Sequence, residues 1–310
     1  MNKKIIIIIL LLIISAVSIF PLYGLLRWGG SASDYFKYSQ KLTQEEKQYL
    51  AERGRFIYVA DSKSYPLRYI DEADGQYKGF SIDYMSLLSL ELGVPMEFRP
   101  MPWDHAVNSI KSGEFYISDM FESESRREKM LFSLPVYNLR GVAASNKHRL
   151  NSLDDIEGAT VAVEINTYAE EYLRNRYRNI NYIYTNDVSE SVELLNQKKV
   201  DVIVGVEPVL MYFLSRENSE GVIFDEHLFQ EDVKIAVPKG EEQFLTIINK
   251  GIYALSVKDT VNQIYNKWFG ISIPGLEKKE NLLKWMLTFY LMVVLAIFIF
   301  YFIFISNQEL

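Results

Sequence analysis

Two long uncharged apolar runs, one near each end of the chain, constrain how everything between them can be arranged. Ile5–Leu26 (IIIIILLLIISAVSIFPLYGLL) and Trp285–Ile305 (WMLTFYLMVVLAIFIFYFIFI) contain no Asp, Glu, Lys or Arg. A helix of about 20 residues, rising ~1.5 Å per residue, crosses a hydrocarbon core of about 30 Å, so each run is expected to form a transmembrane helix. Lys3 and Lys4 precede the first run and favour a cytoplasmic N-terminus. A cleaved signal peptide is the competing reading. Against it, the run exceeds the usual apolar core of about 7–15 residues, and no A-x-A site follows. Pro21 and Gly24 are expected to loosen its last turn. Two spans would put both termini on one side and roughly residues 28–281 on the other. Lys278, Lys279 and Lys284 then fall on the outer flank of the second run, against the usual inside bias of basic residues. The first run, which inserts first, is taken to set the orientation. The chain ends at SNQEL, as a protein cut just past the membrane would.

The 310 residues suffice for one two-lobed domain or two ordinary ones. With 24% charged and 49% apolar residues, most of the chain has a globular make-up. A net charge of −7 argues against nucleic acid as a partner, because that interface needs a basic footprint. There is no cysteine, which excludes disulfides, thiolate metal sites, a cysteine nucleophile and an acylated lipoprotein anchor. His105, His148 and His227 are far apart with no ligand spacing, so no metal site is expected. No cofactor is expected, and there is no Walker-type glycine loop.

Between the runs, strand-like and helix-like stretches alternate, which predicts α/β layers. RFIYVAD (55–61) reads as a buried strand. SIDYMSLLSLELG (81–93) reads as a helix stopped by glycine, with Ile82, Met85, Leu88 and Leu92 at helical spacing. VPMEFRPM and WDHAVNSIKSG follow as strand and helix. GATVAVE, NTYAEEYLRNRY, INYIYT, VSESVELLNQKK and VDVIVGV continue the alternation. Two such series, joined by the extended stretches GVAASNK and DVKIAVPKG, predict two lobes with two crossings. The last helical stretch is expected to break near Gly251 or Asp259.

Six stretches in order carry a family likeness: SYPLRYIDEADGQYKGFSIDYMSLLSLELG, MPWDHAVNSIKSGEF, SESRREKMLFSLPVY, SLDDIEGATVAVEINTYAEEYL, ESVELLNQKKVDVIVGVEPV and YNKWFG. Over about residues 54–270 the chain resembles the family 3 bacterial extracytoplasmic solute-binding proteins, of polar-amino-acid type. The preceding KLTQEEKQYLAERGRFIYVAD looks like the segment before such domains in bacterial sensor proteins. It also reads as a capped helix, with Thr43 as N-cap, Glu46 three residues on and Leu50 facing the core. The resemblance implies an α/β, two-lobed periplasmic-binding-protein fold (a type II flytrap) flanked by the two transmembrane helices. Its expected layout is a cytoplasmic N-terminus (1–4), a span (5–26), a linker and lead-in helix (27–53) and a solute-binding domain (54–274). A linker (275–284), a second span (285–305) and a cytoplasmic end (306–310) follow. Within the domain, lobe 1 would take about 54–140 and 236–274, and lobe 2 about 141–235.

The resemblance also implies site residues. Arg126 falls at the family's carboxylate-receiving arginine, and a guanidinium offers a planar fork that matches a carboxylate. A solvated arginine is the plain alternative, since Arg127 and Lys129 are close by. Tyr65 and Trp103 fall where the family places aromatic walls beside the ligand, or else they pack the lobe. Asn166, Thr167 and Tyr168 match a helix-start motif whose free amides favour an anion, or Thr167 simply caps its own helix. Asp119 is expected to face the ligand. The family's ammonium-binding aspartate is replaced by Val206, with Glu207 next to it as a candidate after a one-residue shift. The proline and the aromatic expected after Tyr65-Pro66 are Leu67 and Arg68. The carboxylate half of an amino-acid site is therefore the better matched half.

The leading expectation is a sensor input domain in the bacterial cell membrane, with its binding domain extracytoplasmic. It would close on an amino acid or other small carboxylate and relay closure through the second span, as a homodimer by analogy. Its output, of histidine kinase or diguanylate cyclase type, is absent from these residues. The alternative is the anchored substrate-binding component of an amino-acid importer, with permease and ATPase partners. An enzyme is not expected, since no acid–base constellation stands out.

Overall fold

The computed structural model describes residues 31–114, 116–146, 153–258, 260–270 and 276–306. The first apolar run, 5–26, and the chain's last four residues lie outside them. Lys41–Ile271 forms one compact unit, and the flanking segments form a second. The described region starts on a short helix of the flanking unit, α1 (Ala32–Tyr38).

The compact unit begins with α2 (Gln44–Arg53), whose ends are encoded locally. Thr43 Oγ1 accepts from the Glu46 amide at 3.1 Å, and the Glu46 carboxylate accepts from the Thr43 amide at 2.7 Å. Gly54, at φ 79°, closes the other end. The helix is tied into the domain by a largely buried Glu46–Lys250 ion pair at 2.7 Å and by Arg53 on Glu241 at 3.1 Å.

Lobe 1 follows as β1 (Phe56–Ala60) and a small antiparallel sheet of β2 (Lys63–Ser64), β3 (Arg68–Ile70) and β4 (Tyr77–Lys78). Then come α3 (Phe80–Leu92), β5 (Met96–Pro100), which pairs in parallel with β1, and α4 (Trp103–Lys111). β6 (Ser118–Phe121) and the single turn α5 (Glu124–Arg127) complete the run. The helical spacing in α3 is the buried face: Ile82, Met85, Leu88 and Leu92 are all in the core. Gly79 admits no side chain, since a Cβ there would lie 2.2 Å from the Leu67 carbonyl oxygen. In α4, Ala106, Val107 and Ile110 pack with Val59, Met120, Met130 and Ala236.

The chain leaves lobe 1 along β7 (Met130–Asn146). Lobe 2 contains a 3-10 turn at Leu153–Ile156, then β8 (Thr160–Glu164), α6 (Tyr168–Arg176), β9 (Asn181–Thr185) and α7 (Val188–Asn196). β10 (Val202–Val206) and α8 (Glu207–Arg216) follow, and β11 (Gly221–Pro238) returns to lobe 1. The six-stranded sheet has the order β6-β11-β7-β10-β8-β9. β8 pairs in parallel with β9 and β10, as short strand–helix–strand units require.

The two crossings are longer than the stretches GVAASNK and DVKIAVPKG. β7 and β11 are antiparallel partners from one lobe to the other, with register shifts between Ile223 and His227, His227 and Phe229, and around Lys234. Pro135, which has no amide hydrogen to donate, lies opposite Lys234 at the last irregularity. Gly141–Ser145 pair with β10 in lobe 2, whereas Val233–Ala236 pair with β6 in lobe 1.

Helices α9 (Glu242–Val257) and α10 (Thr260–Phe269) close lobe 1. α9 runs through Gly251, where a Cβ would come within 2.6 Å of Leu88 Cδ1, so the glycine serves close approach to α3 rather than a break. The break falls between Val257 and Thr260. Trp268 Nε1 and Lys267 Nζ both donate to Asp83 Oδ2, at 2.7 and 2.6 Å, which docks the KWFG run on α3.

In the flanking unit, α11 (Leu276–Ser306) is one continuous helix of 31 residues. Among the described residues no helix is long and apolar enough to cross a membrane.

Candidate functional site

The lobes enclose a cavity of about 80 Å³ between the C-terminal ends of the strands, lined from both sides. On the lobe 1 side, Asp119 at the middle of β6 is fully buried and takes four donors. These are the hydroxyls of Tyr58, Ser81 and Tyr137 and, at 3.1 Å, Arg68 Nη1. Burial pulls the Asp119 pKa up, but the Arg68 charge and the three hydroxyls outweigh it and hold the group below the usual carboxylate range. Arg68 also donates from Nε to Asp61 at 2.7 Å and lies over the Trp103 ring at 5.1 Å. Asp61 accepts further from Ser64 Oγ at 2.7 Å and the Lys63 amide at 3.0 Å. Asp61, Arg68 and Asp119 form a closed polar cluster made within lobe 1.

Arg126 is placed differently. Its α5 turn is set by Ser123, whose side chain accepts from the Arg126 amide. The guanidinium is 3% exposed and donates to two carbonyls, Phe121 O at 2.7 Å and Asn166 O at 2.8 Å. Among the described residues it has no carboxylate partner. Burial pushes its pKa down to about 10, against the weaker opposing pull of Glu171, Tyr168 and Glu170.

Lobe 2 presents the ends of β8 and β10 and the start of α6. Asn166 sits in the left-handed region at φ 60°, and its carbonyl receives both Arg126 and Trp103 Nε1, the latter at 3.2 Å. Thr167 caps α6, accepting from the Glu170 amide at 3.3 Å and donating to the Glu164 carbonyl at 2.7 Å. The rings of Phe121, Tyr168 and Phe229 form one wall, with centroids 4.8 to 5.4 Å apart. Phe229 needs Gly141 opposite it, where a Cβ would lie 2.1 Å from the ring. The lobes are also joined by Ser123 and Ser125 on Glu171 at 2.8 and 3.0 Å, and by Lys63 on Asp187 at 2.8 Å. This is a closed arrangement.

Of the residues expected from sequence, Arg126, Trp103, Asp119, Thr167 and Tyr168 line the cavity. Asp119 lines it with its carboxylate already saturated, so it braces the floor rather than offering a free acceptor. Asn166 contributes its carbonyl to the lobe closure and is not part of the lining. Tyr65 lies away from the cavity, its ring 3.9 Å from that of Tyr212 on lobe 2 and 4.7 Å from Tyr69, in a separate surface groove. Glu207 is also elsewhere. It starts α8 and holds Arg140 through two hydrogen bonds at 2.7 and 2.8 Å, while its neighbour Val206 faces the cavity. Val204, Gly205 and Val206 all line the cavity, and the chain turns into α8 at Glu207, whose side chain is carried to Arg140.

The lining residues not expected at the site include Asp61, Arg68, Glu164 and Phe229. Arg68 had a signal, a charge standing where the family places an aromatic. Glu164, the last residue of β8, is half-buried and its carboxyl has no hydrogen-bond partner among the described residues. Burial first, and then Asp61, Asp187 and Asp104, push its pKa well above the usual range, with Arg68 opposing. An acid that ends an apolar strand just before a helix was the available signal.

The profile of bacterial extracellular solute-binding proteins, family 3, matches residues 56–271. The L-cystine-binding protein TcyJ of Escherichia coli (strain K12) is 25% identical over 228 residues, covering 72% of this chain and 85% of that protein. Virulence sensor protein BvgS of Bordetella pertussis (strain Tohama I) is 23% identical over 254 residues, covering 79% of this chain and 20% of BvgS. Among solved structures, an ancestral arginine-binding protein bound to glutamine matches with a TM-score of 0.65 at 27% identity, covering 71% of this chain and 99% of that one. These three are named for binding or sensing rather than for catalysis.

Proposed function

The chain belongs to the bacterial extracellular solute-binding proteins, family 3, and we propose that its two-lobed α/β domain is the extracytoplasmic input of a membrane-anchored sensor. The domain closes on an amino acid or other small carboxylate. Closure is relayed along α11 to a signalling output of histidine kinase or diguanylate cyclase type, supplied outside these residues. The observation that carries the ligand half is Arg126, a buried guanidinium lining the interlobe cavity with carbonyl partners and, among the described residues, no carboxylate. A ligand carboxylate would complete it with charge-assisted hydrogen bonds and draw the lobes together, favouring a closed state already accessible. Trp103 would cover the ligand, Thr167 and Tyr168 would line its lobe 2 side, and the Asp119 cluster would hold the floor rigid.

Three observations support the anchored sensor half. The likeness to BvgS runs over 254 residues, against 228 for the cystine-binding protein. The uncharged run Trp285–Ile305 lies on one continuous helix, Leu276–Ser306. The capped helix α2 is tied into the domain, as a lead-in from an anchor would be. A likeness to the putative ABC transporter arginine-binding protein 2 of Escherichia coli (strain K12), 24% identical over 220 residues, favours a second reading, the anchored substrate-binding component of an importer.

The absence of cysteine makes the two readings separable. Single cysteines introduced at Leu287, Leu291 and Leu295 of the full chain in membranes are expected to change their cross-linking between copies when a carboxylate binds. Unchanged cross-linking with ligand demonstrably bound would sink the relay and favour the importer. For the ligand itself, calorimetry against a panel of amino acids and small carboxylates should give binding that Arg126→Ala abolishes. Binding that survives this substitution would remove Arg126 from the site.

A further inference from the structure

Lobe 2 also touches lobe 1 at a place that serves no part of the cavity. Tyr212, on α8, lays its ring 3.9 Å from that of Tyr65, at a tilt of 31°. Tyr65 stands 4.7 Å from Tyr69, and Tyr69 stands 6.1 Å from Trp268 on α10, these last two rings nearly perpendicular at 83°. At such separations aromatic rings attract one another and favour particular tilts. Tyr65, Tyr69, Tyr212 and Trp268 are all outside the cavity lining. Tyr212 moves with its own lobe, since the neighbouring Phe213 is buried there, 5.1 Å ring to ring. On the lobe 1 side, Tyr65 follows β2 and Tyr69 lies on β3, strands that pair as Lys63 with Tyr69 and Ser64 with Arg68. Successive strand residues point to opposite faces, so Arg68 reaches the Asp61–Asp119 cluster while Tyr69 reaches Trp268. Lys63 on β2 is held by Asp187 of lobe 2 as well. Lobe 2 therefore grips this small sheet at Lys63 and at Tyr65, and the sheet meets the helix by which the chain leaves the domain. On that helix, Tyr265 and Phe269 pack on the buried Phe80 at 5.8 and 5.6 Å. Trp268 is half-buried, with its Nε1 on Asp83 and its ring beside Tyr69.

We propose that Tyr212, Tyr65, Tyr69 and Trp268 form a closure relay, by which the approach of lobe 2 alters the seat of Trp268 on Asp83 and with it the docking of α10. The relay rests on the reading of the domain as a sensor that closes on a small solute, and it names the path by which closure reaches the exit helix. The element with two arrangements is the Tyr65–Tyr212 contact. With the lobes apart, Tyr212 is withdrawn, and Tyr65 and Tyr69 are held from lobe 1 alone. With the lobes together the series of rings is complete, and a ligand that favours closure favours that arrangement. The β7–β11 ribbon joins the lobes too, but β11 leads into α9, whereas the rings end on α10, the last helix before α11. Because these rings stand clear of Arg126 and Trp103, binding and relay are carried by different side chains. A substitution can remove one and spare the other.

The test uses the full chain in nanodiscs, with its four tryptophans replaced by 5-fluorotryptophan and read by fluorine NMR. Trp103 lines the cavity and reports binding, while Trp268, assigned by the signal lost in Trp268→Phe, reports the exit helix. The probe is an equimolar mixture of the twenty standard amino acids, L-cystine and propionate, added to saturation. In the wild type both signals should shift. Tyr69→Leu leaves the Tyr65–Tyr212 contact and the cavity in place, so it should keep the Trp103 shift and lose the Trp268 shift. Tyr212→Ala, at the other end of the series and checked for fold by circular dichroism, should do the same. A Trp268 shift of wild-type size in either variant would overturn the relay. A wild-type chain in which Trp103 shifts and Trp268 stays silent would overturn it too. Probe-driven cross-linking at Leu291→Cys in that case would leave the sensor reading standing by another path. Silence of both signals would overturn the relay together with the ligand reading beneath it.

Discussion

Arg68 and Arg126 are both buried beside the same cavity, and their surroundings make opposite demands. Arg68 sits between Asp61 and Asp119, and its cluster is closed by residues of its own lobe. Arg126 has carbonyls for partners, one of them on the other lobe. A buried charge with its counter-charge removed is far costlier than a matched one. The first arginine therefore belongs to the stability of lobe 1. The second leaves part of its burial cost standing in the empty protein, to be offset when an anion arrives. Residue type alone does not separate these roles; the neighbours do.

Breaking the matched cluster should have the largest effect. Asp119→Asn leaves Arg68 with one carboxylate and should cost about 3 kcal/mol or more of folding free energy, read as a lower urea midpoint. Because the Asp119 pKa is held below its unfolded value, its contribution is complete above a pH of about 4 and is lost as pH falls through the folded value. The variant should accordingly show a flatter acid limb in its stability profile. Arg126→Met should act with the opposite sign on the empty protein, stabilising it by about 1 kcal/mol, while carboxylate affinity falls about 100-fold. A destabilised Arg126→Met would show that the second arginine is structural as well. Tyr65→Ala removes the ring contact with Tyr212 across the lobes. It should weaken carboxylate affinity about fivefold, through a more open cleft visible by small-angle scattering, with little change in stability. Glu207→Ala gives the smallest change, because its Arg140 partner is half-exposed. Stability should move by less than about 0.5 kcal/mol and affinity should stay put.

The parts of this comparison that were legible in sequence are the local ones. Helices such as α3 announced themselves by apolar spacing and a terminal glycine, and the Thr43–Glu46 cap was written in four residues. The β7–β11 ladder was only half visible, since pairing between Met130 and Pro238 leaves no trace in either strand's own pattern. Gly251 was ambiguous because a glycine within a helix signals a break or a close approach, and only the position of Leu88 decides. At the cavity, Arg126 was found through its place in a family motif. The saturation of Asp119 depends on Tyr58, Ser81 and Tyr137, each far away in sequence. Glu207 was a candidate from its place beside Val206, and its side chain turns to Arg140 instead, while Glu164 was not singled out.

The paired strands that carry the chain between lobes have a mechanical consequence. A two-stranded ribbon yields more readily in twist than a wide sheet does. The register shifts at Ile223–Phe229 and Lys234 flank the stretch Asn138–Arg140 and Gln230–Asp232, where the two strands pair with each other alone, so that stretch is where the ribbon is expected to twist as the cleft opens. The ribbon acts as a torsion bar whose stiffness sets how far thermal energy alone can turn it, and side chains over those shifts, Phe229 among them, are where that stiffness can be tuned.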